Sequence, residues 1–192
     1  MAVPTPTIPT FTDGQIVHAA DLNGLGSNLT NLYNYLNAGF TSQRPCVIAK
    51  QTTGQSIPNA TNTLVNFQSA AVNTDNMWNA SQPNQLTIQH AGIYLLYSQT
   101  RYGAVANSLS EAVTTSLLVN GTAVPGNAVS TQAQIPPSIG AGTALMCISL
   151  VNLAAGSTVY LNAWQSTTGG AITLDTAYGG TYLAAVFLTP ST

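Results

Sequence analysis

Charge is what this chain has least of. Its 192 residues include three Lys or Arg and five Asp or Glu, so 4% are charged, against about 25% in an average soluble domain. Without a basic stripe to displace counterions from phosphates, nucleic-acid binding is set aside. No stretch reaches the roughly 18 consecutive apolar residues of a spanning helix, which argues against membrane insertion. The opening Met1-Ala-Val-Pro-Thr-Pro-Thr-Ile-Pro-Thr10 has neither the positive segment nor the apolar core of a secretory signal. Synthesis and retention in a cytoplasm is the expectation. Cysteine is confined to Cys46 and Cys147, both in apolar, strand-like contexts where a buried free thiol is the common state. A reducing compartment also disfavours a disulfide between them.

Groups able to do chemistry are equally sparse. Hydrolysis or group transfer needs a nucleophile, a base and an orienting group close together, or a metal cluster. The histidines His18 and His90 and the acids Asp13, Asp21, Asp75, Glu111 and Asp175 are scattered, and no two form a motif. The reading is no enzyme, no catalytic residue, no cofactor and no metal site. Asp175, in the Gly-rich loop 168–180, is the acid that symmetry mates could gather around a hard cation. The plainer reading, an exposed loop carboxylate, is preferred.

What the chain does have is a series of short apolar runs between turn signals: 46–49, 63–67, 86–89, 93–97, 115–119, 144–150, 158–163 and 182–188. Val, Ile, Thr, Tyr and Leu fill them, and Gly, Pro, Asn and Ser bound them, which is strand chemistry. Asn120-Gly121 lies between Ser116-Leu-Leu-Val119 and Thr122-Ala-Val124. That pair suits a type I′ hairpin turn, because both central residues take positive φ. About eight strands without an intervening helical pattern predict an all-β, eight-to-ten-stranded antiparallel jelly-roll sandwich over 45–192.

The first 44 residues read differently. Pro4, Pro6 and Pro9 among Thr, Val and Ile favour an extended arm over 1–17. Leu22, Leu25, Leu29, Leu32 and Leu36 then follow at spacings of three, four, three and four, a heptad seam on one face of a short helix over 18–44. Asp21 suits the N-cap and Gly39 the C-terminal stop. Gly24 and Gly26 each cost about 1 kcal/mol relative to Ala in a helix interior, so the seam needs tertiary support. Two supports are open: a trimeric bundle, or packing against the base of the sandwich.

Residues Ala91-Gly-Ile-Tyr-Leu-Leu-Tyr-Ser-Gln99 resemble the Gly-x-Tyr strand of tumour necrosis factor and complement C1q head domains. Phe67, Asn73, Trp78, Gly92 and Tyr94 fall at the spacings of the C1q-type signature. Leu86 and Leu96 stand where that family prefers Phe, and the gap from Trp78 to Leu86 is one residue longer than its pattern. Tyr182-Leu-Ala-Ala-Val-Phe-Leu188 is similar to the closing strand. The resemblance, over roughly 45–189, implies a C1q/TNF-like jelly roll and a homotrimer, with Tyr97, Met146 and Tyr182 at the positions that line the three-fold axis. Phe67, Trp78, Gly92 and Tyr94 become its signature core. Aromatic strand positions are also common core positions, so an intramolecular role for the axis residues stays open.

The segment Phe11-Thr-Asp-Gly-Gln-Ile-Val-His-Ala-Ala-Asp-Leu-Asn23 resembles the N-terminal attachment segments of tail-fibre and other accessory virion proteins of bacteriophages. It implies a structural protein on a virion surface, with Val3, Ile8, Phe11, Ile16 and Val17 as the attachment arm and capsid or tail proteins as partners. Capsid decoration is the favoured role. The alternative is a tail or fibre receptor-binding module that stacks host-surface glycans on aromatics such as Trp78, Tyr102, Trp164 or Tyr178.

Overall fold

The computed structural model of the chain describes residues 27, 29, 30, 44–103, 111–125, 128–132, 143–167, 170–177 and 179–190. It divides into two units, Met1–Gln43 and Arg44–Thr192. In the first, residues 27, 29 and 30 are helical and Leu29 is exposed. The arm residues Val3, Ile8, Phe11, Ile16 and Val17 and the seam residues Leu22, Leu25, Leu32 and Leu36 lie outside the described residues.

The second unit is built from strands β1 (Cys46–Lys50), β2 (Ser56–Ile57), β3 (Thr63–Leu64), β4 (Ser69–Asn73), β5 (Leu86–Thr87), β6 (Gly92–Tyr102) and β7 (Glu111–Val119). They continue with β8 (Thr122–Ala123), β9 (Ala128–Gln132), β10 (Thr143–Leu153), β11 (Thr158–Ser166), β12 (Ile172–Thr173) and β13 (Tyr182–Thr189). Every expected run holds a strand, but two are shorter than expected: 63–67 pairs only at Thr63 and Leu64, and 86–89 only at Leu86 and Thr87. Phe67 is nevertheless buried, its amide donating to the Pro83 carbonyl at 2.8 Å. The unexpected β4, Ser-Ala-Ala-Val-Asn, has weak intrinsic strand preference; its ladder with β1 supplies what the residues do not.

One sheet runs β10-β6-β13-β1-β4 and the other β3-β11-β7-β8, with β5 on β11 and β9 on β7; β12 and β2 form a small third ladder. The β6–β10 ladder is continuous from Gly92↔Leu153 to Tyr102↔Thr143. Between the sheets, one core joins Val47, Tyr94, Leu96 and Leu183 from the first to Leu117, Val159 and Leu161 from the second. The Asn120-Gly121 turn has φ of 50° and 79°, the pair of positive values that the two-residue hairpin demands.

The signature residues do identifiable work in this core. A Cβ on Gly92 would lie 2.4 Å from Phe187 Cε2 and 2.6 Å from the Thr189 carbonyl oxygen, so only glycine lets the closing strand cross there. Phe187 then meets the ring of Tyr94 edge-on, centroids 5.4 Å apart. The Asn73 side chain clamps Trp78, donating from Nδ2 to the Trp78 carbonyl at 2.9 Å and accepting the Trp78 amide at 3.2 Å. Trp78 packs, partly buried, against the core.

Candidate oligomerisation face

Strands β6 and β10 alternate strictly, so each has an inward and an outward row. The inward row pairs Leu96 with Ser149, Ser98 with Cys147 and Thr100 with Leu145. The outward row pairs Leu95 with Leu150, Tyr97 with Ile148 and Gln99 with Met146. Polar residues thus enter the inward row while large apolar ones face outward. Ser98 and Thr100 are fully buried, and their hydroxyls find no hydrogen-bond partner among the described residues, whereas Met146, Ile148 and Leu150 are 53%, 59% and 64% exposed. Residues of this size are normally the ones a fold hides.

The outward row continues across the sheet. Tyr182 lies beside Gln99, Ala184 beside Tyr97 and Val186 beside Leu95, and β1 adds Ile48 next to Ala184 and Cys46 next to Val186. The result is a four-strand apolar field, with Lys50 and Arg101 at one end. At that end the three axis candidates meet. The Tyr97 hydroxyl donates to the Met146 sulfur at 3.2 Å, and the Tyr97 and Tyr182 rings lie 5.5 Å apart at 51°. Burial raises the Tyr182 phenol above its ordinary pKa, and the neighbouring Tyr97 hydroxyl adds to the rise.

Murine APRIL, solved at pH 5.0, superposes with a TM-score of 0.53 at 17% identity, covering 76% of this chain and 100% of that one. The globular domain of zebrafish complement 1qA superposes at 0.54 with 6% identity, covering 78% of this chain and 100% of that one. The fold is a C1q/TNF-like jelly roll. No protein-family model and no curated protein matches the chain.

Other candidates of the jelly roll fall elsewhere. Asp175 is not a lone loop acid: its Oδ2 accepts from Arg101 Nε at 2.8 Å, across 74 residues of sequence. That hydrogen bond, with the Ala177 amide on Oδ1, holds its carboxyl below the usual range. No sequence signal announced this pair. Asp75 lies 3.4 Å from His90, a contact equally hidden in the chain order. Among the described residues no three His, Cys, Asp or Glu gather as a metal site. Cys46 and Cys147 are not in a disulfide, and the buried Cys147 sulfur donates to the Thr115 carbonyl at 3.3 Å. Of the aromatics expected to be exposed, Tyr102 is instead buried. Its hydroxyl donates to the Thr114 carbonyl at 2.6 Å, because the inward row of β6 runs on to that residue. Trp78 is partly buried against the core. Trp164 is half-buried, and Tyr178 lies outside the described residues.

Proposed function

We propose that this chain is a non-enzymatic structural protein whose jelly roll assembles as a homotrimer through the outward face of the five-stranded sheet. One observation carries the reading: in the middle of β6 and β10 the outward row exposes Met146, Ile148 and Leu150 while the inward row buries Ser98, Thr100 and Ser149. An exposed apolar field of this continuity marks an interaction surface, and self-association is the most economical occupant because each copy presents the same field. Tyr97, Met146 and Tyr182 surround the three-fold axis, as the resemblance to C1q and tumour necrosis factor heads implies. Burying Met146, Ile148 and Leu150 contributes on the order of 1–2 kcal/mol for each side chain, in each protomer. Two-dimensional class averages of the purified protein test the symmetry. A three-fold head is expected, and two-fold or single-lobed particles overturn it.

The setting of this trimer is a second layer of the proposal. The resemblance of residues 11–23 to phage attachment segments supports a virion-surface protein, with residues 1–17 as its arm on a capsid or tail subunit. Residues 1–43 contain no Lys or Arg and two acids, Asp13 and Asp21. Attachment then rests on apolar burial and main-chain pairing, which salt screens little. The protein should stay on its particle as salt rises from about 0.05 M to about 1 M, and replacing Phe11 and Ile16 by Ser should release it. Stripping by salt alone would defeat this layer while leaving the trimer untouched.

A further inference from the structure

The second sheet carries a cleft of about 630 Å³ lined by Leu64, Asn84, Gln85, Leu118, Asn120, Gly121, Thr158 and Tyr160, within the roughly 300–1,000 Å³ of small-molecule sites. Its composition is amphipathic and neutral. Leu64, Leu118 and the Tyr160 ring, all half-buried, supply apolar surface, with Leu118 directly opposite Tyr160 in the β7–β11 ladder. Amides supply the rim.

Hydrogen bonding within the rim is incomplete in a specific way. Asn120 Oδ1 accepts from the Thr158 amide at 2.9 Å and from its hydroxyl at 3.2 Å, which pins the side chain and leaves Nδ2 as a donor. Gln85 Nε2 donates to Gln82 Oε1 at 2.9 Å and to Thr87 Oγ1 at 3.3 Å, which leaves Oε1 as an acceptor. The Asn84 amide and the Tyr160 hydroxyl have no partner among the described residues. The fixed turn, with both central φ positive, holds one wall in place.

We propose that this cleft binds a neutral carbohydrate. A sugar ring has an apolar C–H face that covers an aromatic or leucine surface and a hydroxyl edge that both donates and accepts. That is the complement of an apolar floor rimmed by amides that keep a spare donor or acceptor. A purely apolar ligand would strand those amides without partners. A charged ligand would meet no opposite charge, because no acid, Lys, Arg or His lines the cleft. The site lies within one jelly roll, so it stands or falls independently of the trimer.

Saturation-transfer NMR on the full chain decides it, with maltose, cellobiose, lactose and diacetylchitobiose as neutral probes and sialyllactose as the charged comparator. At least one neutral disaccharide should bind with a Kd in the millimolar range, weakened about tenfold or more by Tyr160→Ala and by Asn84→Ala. Asn84 precedes β5 in a loop, so its variant remains informative if Tyr160→Ala does not fold. Absence of transfer from all four neutral sugars, preference for the sialylated probe, or undiminished binding in Asn84→Ala overturns the assignment.

Discussion

The two large sheets of the jelly roll turn alternate residues outward in the same way, yet the two outward faces are chemically unlike. On the second sheet the outward pairs are Thr114 with Trp164, Ser116 with Asn162 and Leu118 with Tyr160, so a hydroxyl or amide interrupts each apolar contact. On the first they are Leu95 with Leu150, Tyr97 with Ile148 and Gln99 with Met146, so Gln99 and the Tyr97 hydroxyl stand among large apolar side chains. In a chain that is 4% charged, neutral side chains are what keep a face wetted. The first face has fewer of them and instead exposes Met146, Ile148 and Leu150, the difference expected if one surface meets water and the other meets protein.

The sharpest way to break the comparison is to charge each face in turn. Tyr97→Asp puts an unpaired carboxylate into the apolar cluster, at a cost of several kcal/mol once desolvated, and should convert the assembly to monomer by light scattering. Ser166→Asp on the exposed end of β11 should leave mass unchanged and stability within about 0.5 kcal/mol. Equal behaviour of the two variants would erase the distinction between the faces.

A core change should instead act on the fold. Gly92→Ala drives a Cβ against Phe187 and the Thr189 carbonyl, and should lower unfolding free energy by about 2–3 kcal/mol in denaturant titrations. Smaller still is Tyr102→Phe, which removes the bond to the Thr114 carbonyl and should cost about 1–2 kcal/mol at neutral pH.

That residue also shapes the alkaline limb. Burial pushes the Tyr102 phenol up to about 12, above the value of about 10 in an unfolded chain. The proton is held more tightly in the folded state, so the associated stability is complete below pH 10 and is lost as pH rises through about 12. Tyr102→Phe should flatten that limb in melting curves taken from pH 9 to about 12. At the acid end the sign reverses. The Asp175 carboxyl sits below its ordinary value, so its stabilisation is present above the unfolded pKa and fades as pH falls below about 4. Asp175→Asn should remove that small acid-side loss.

Much of the fold was legible because it is local. The strand runs, the Asn120-Gly121 turn and the Gly-x-Tyr strand each sit within a few neighbours. The face assignment was not legible from apolarity, since the run 144–150 is apolar on both of its rows and nothing in it says that Met146, Ile148 and Leu150 face outward while Cys147 and Ser149 face in. Only the resemblance put Met146 beside Tyr97 and Tyr182. The Arg101–Asp175 pair was hidden for another reason: contacts 74 residues apart leave no periodicity to read. The cleft around Tyr160 draws on β3, a loop, the hairpin turn and β11, and it too exists only after folding.

The central claim, that the apolar outward face of β6, β10 and β13 is an interface between copies, is tested most directly by the mass of the full chain in solution. Light scattering through serial dilution to micromolar concentration should give three times 19.8 kDa, unchanged in high salt because apolar burial is not screened. A particle of 19.8 kDa at micromolar concentration would show that this face stays in water, and would contradict the account.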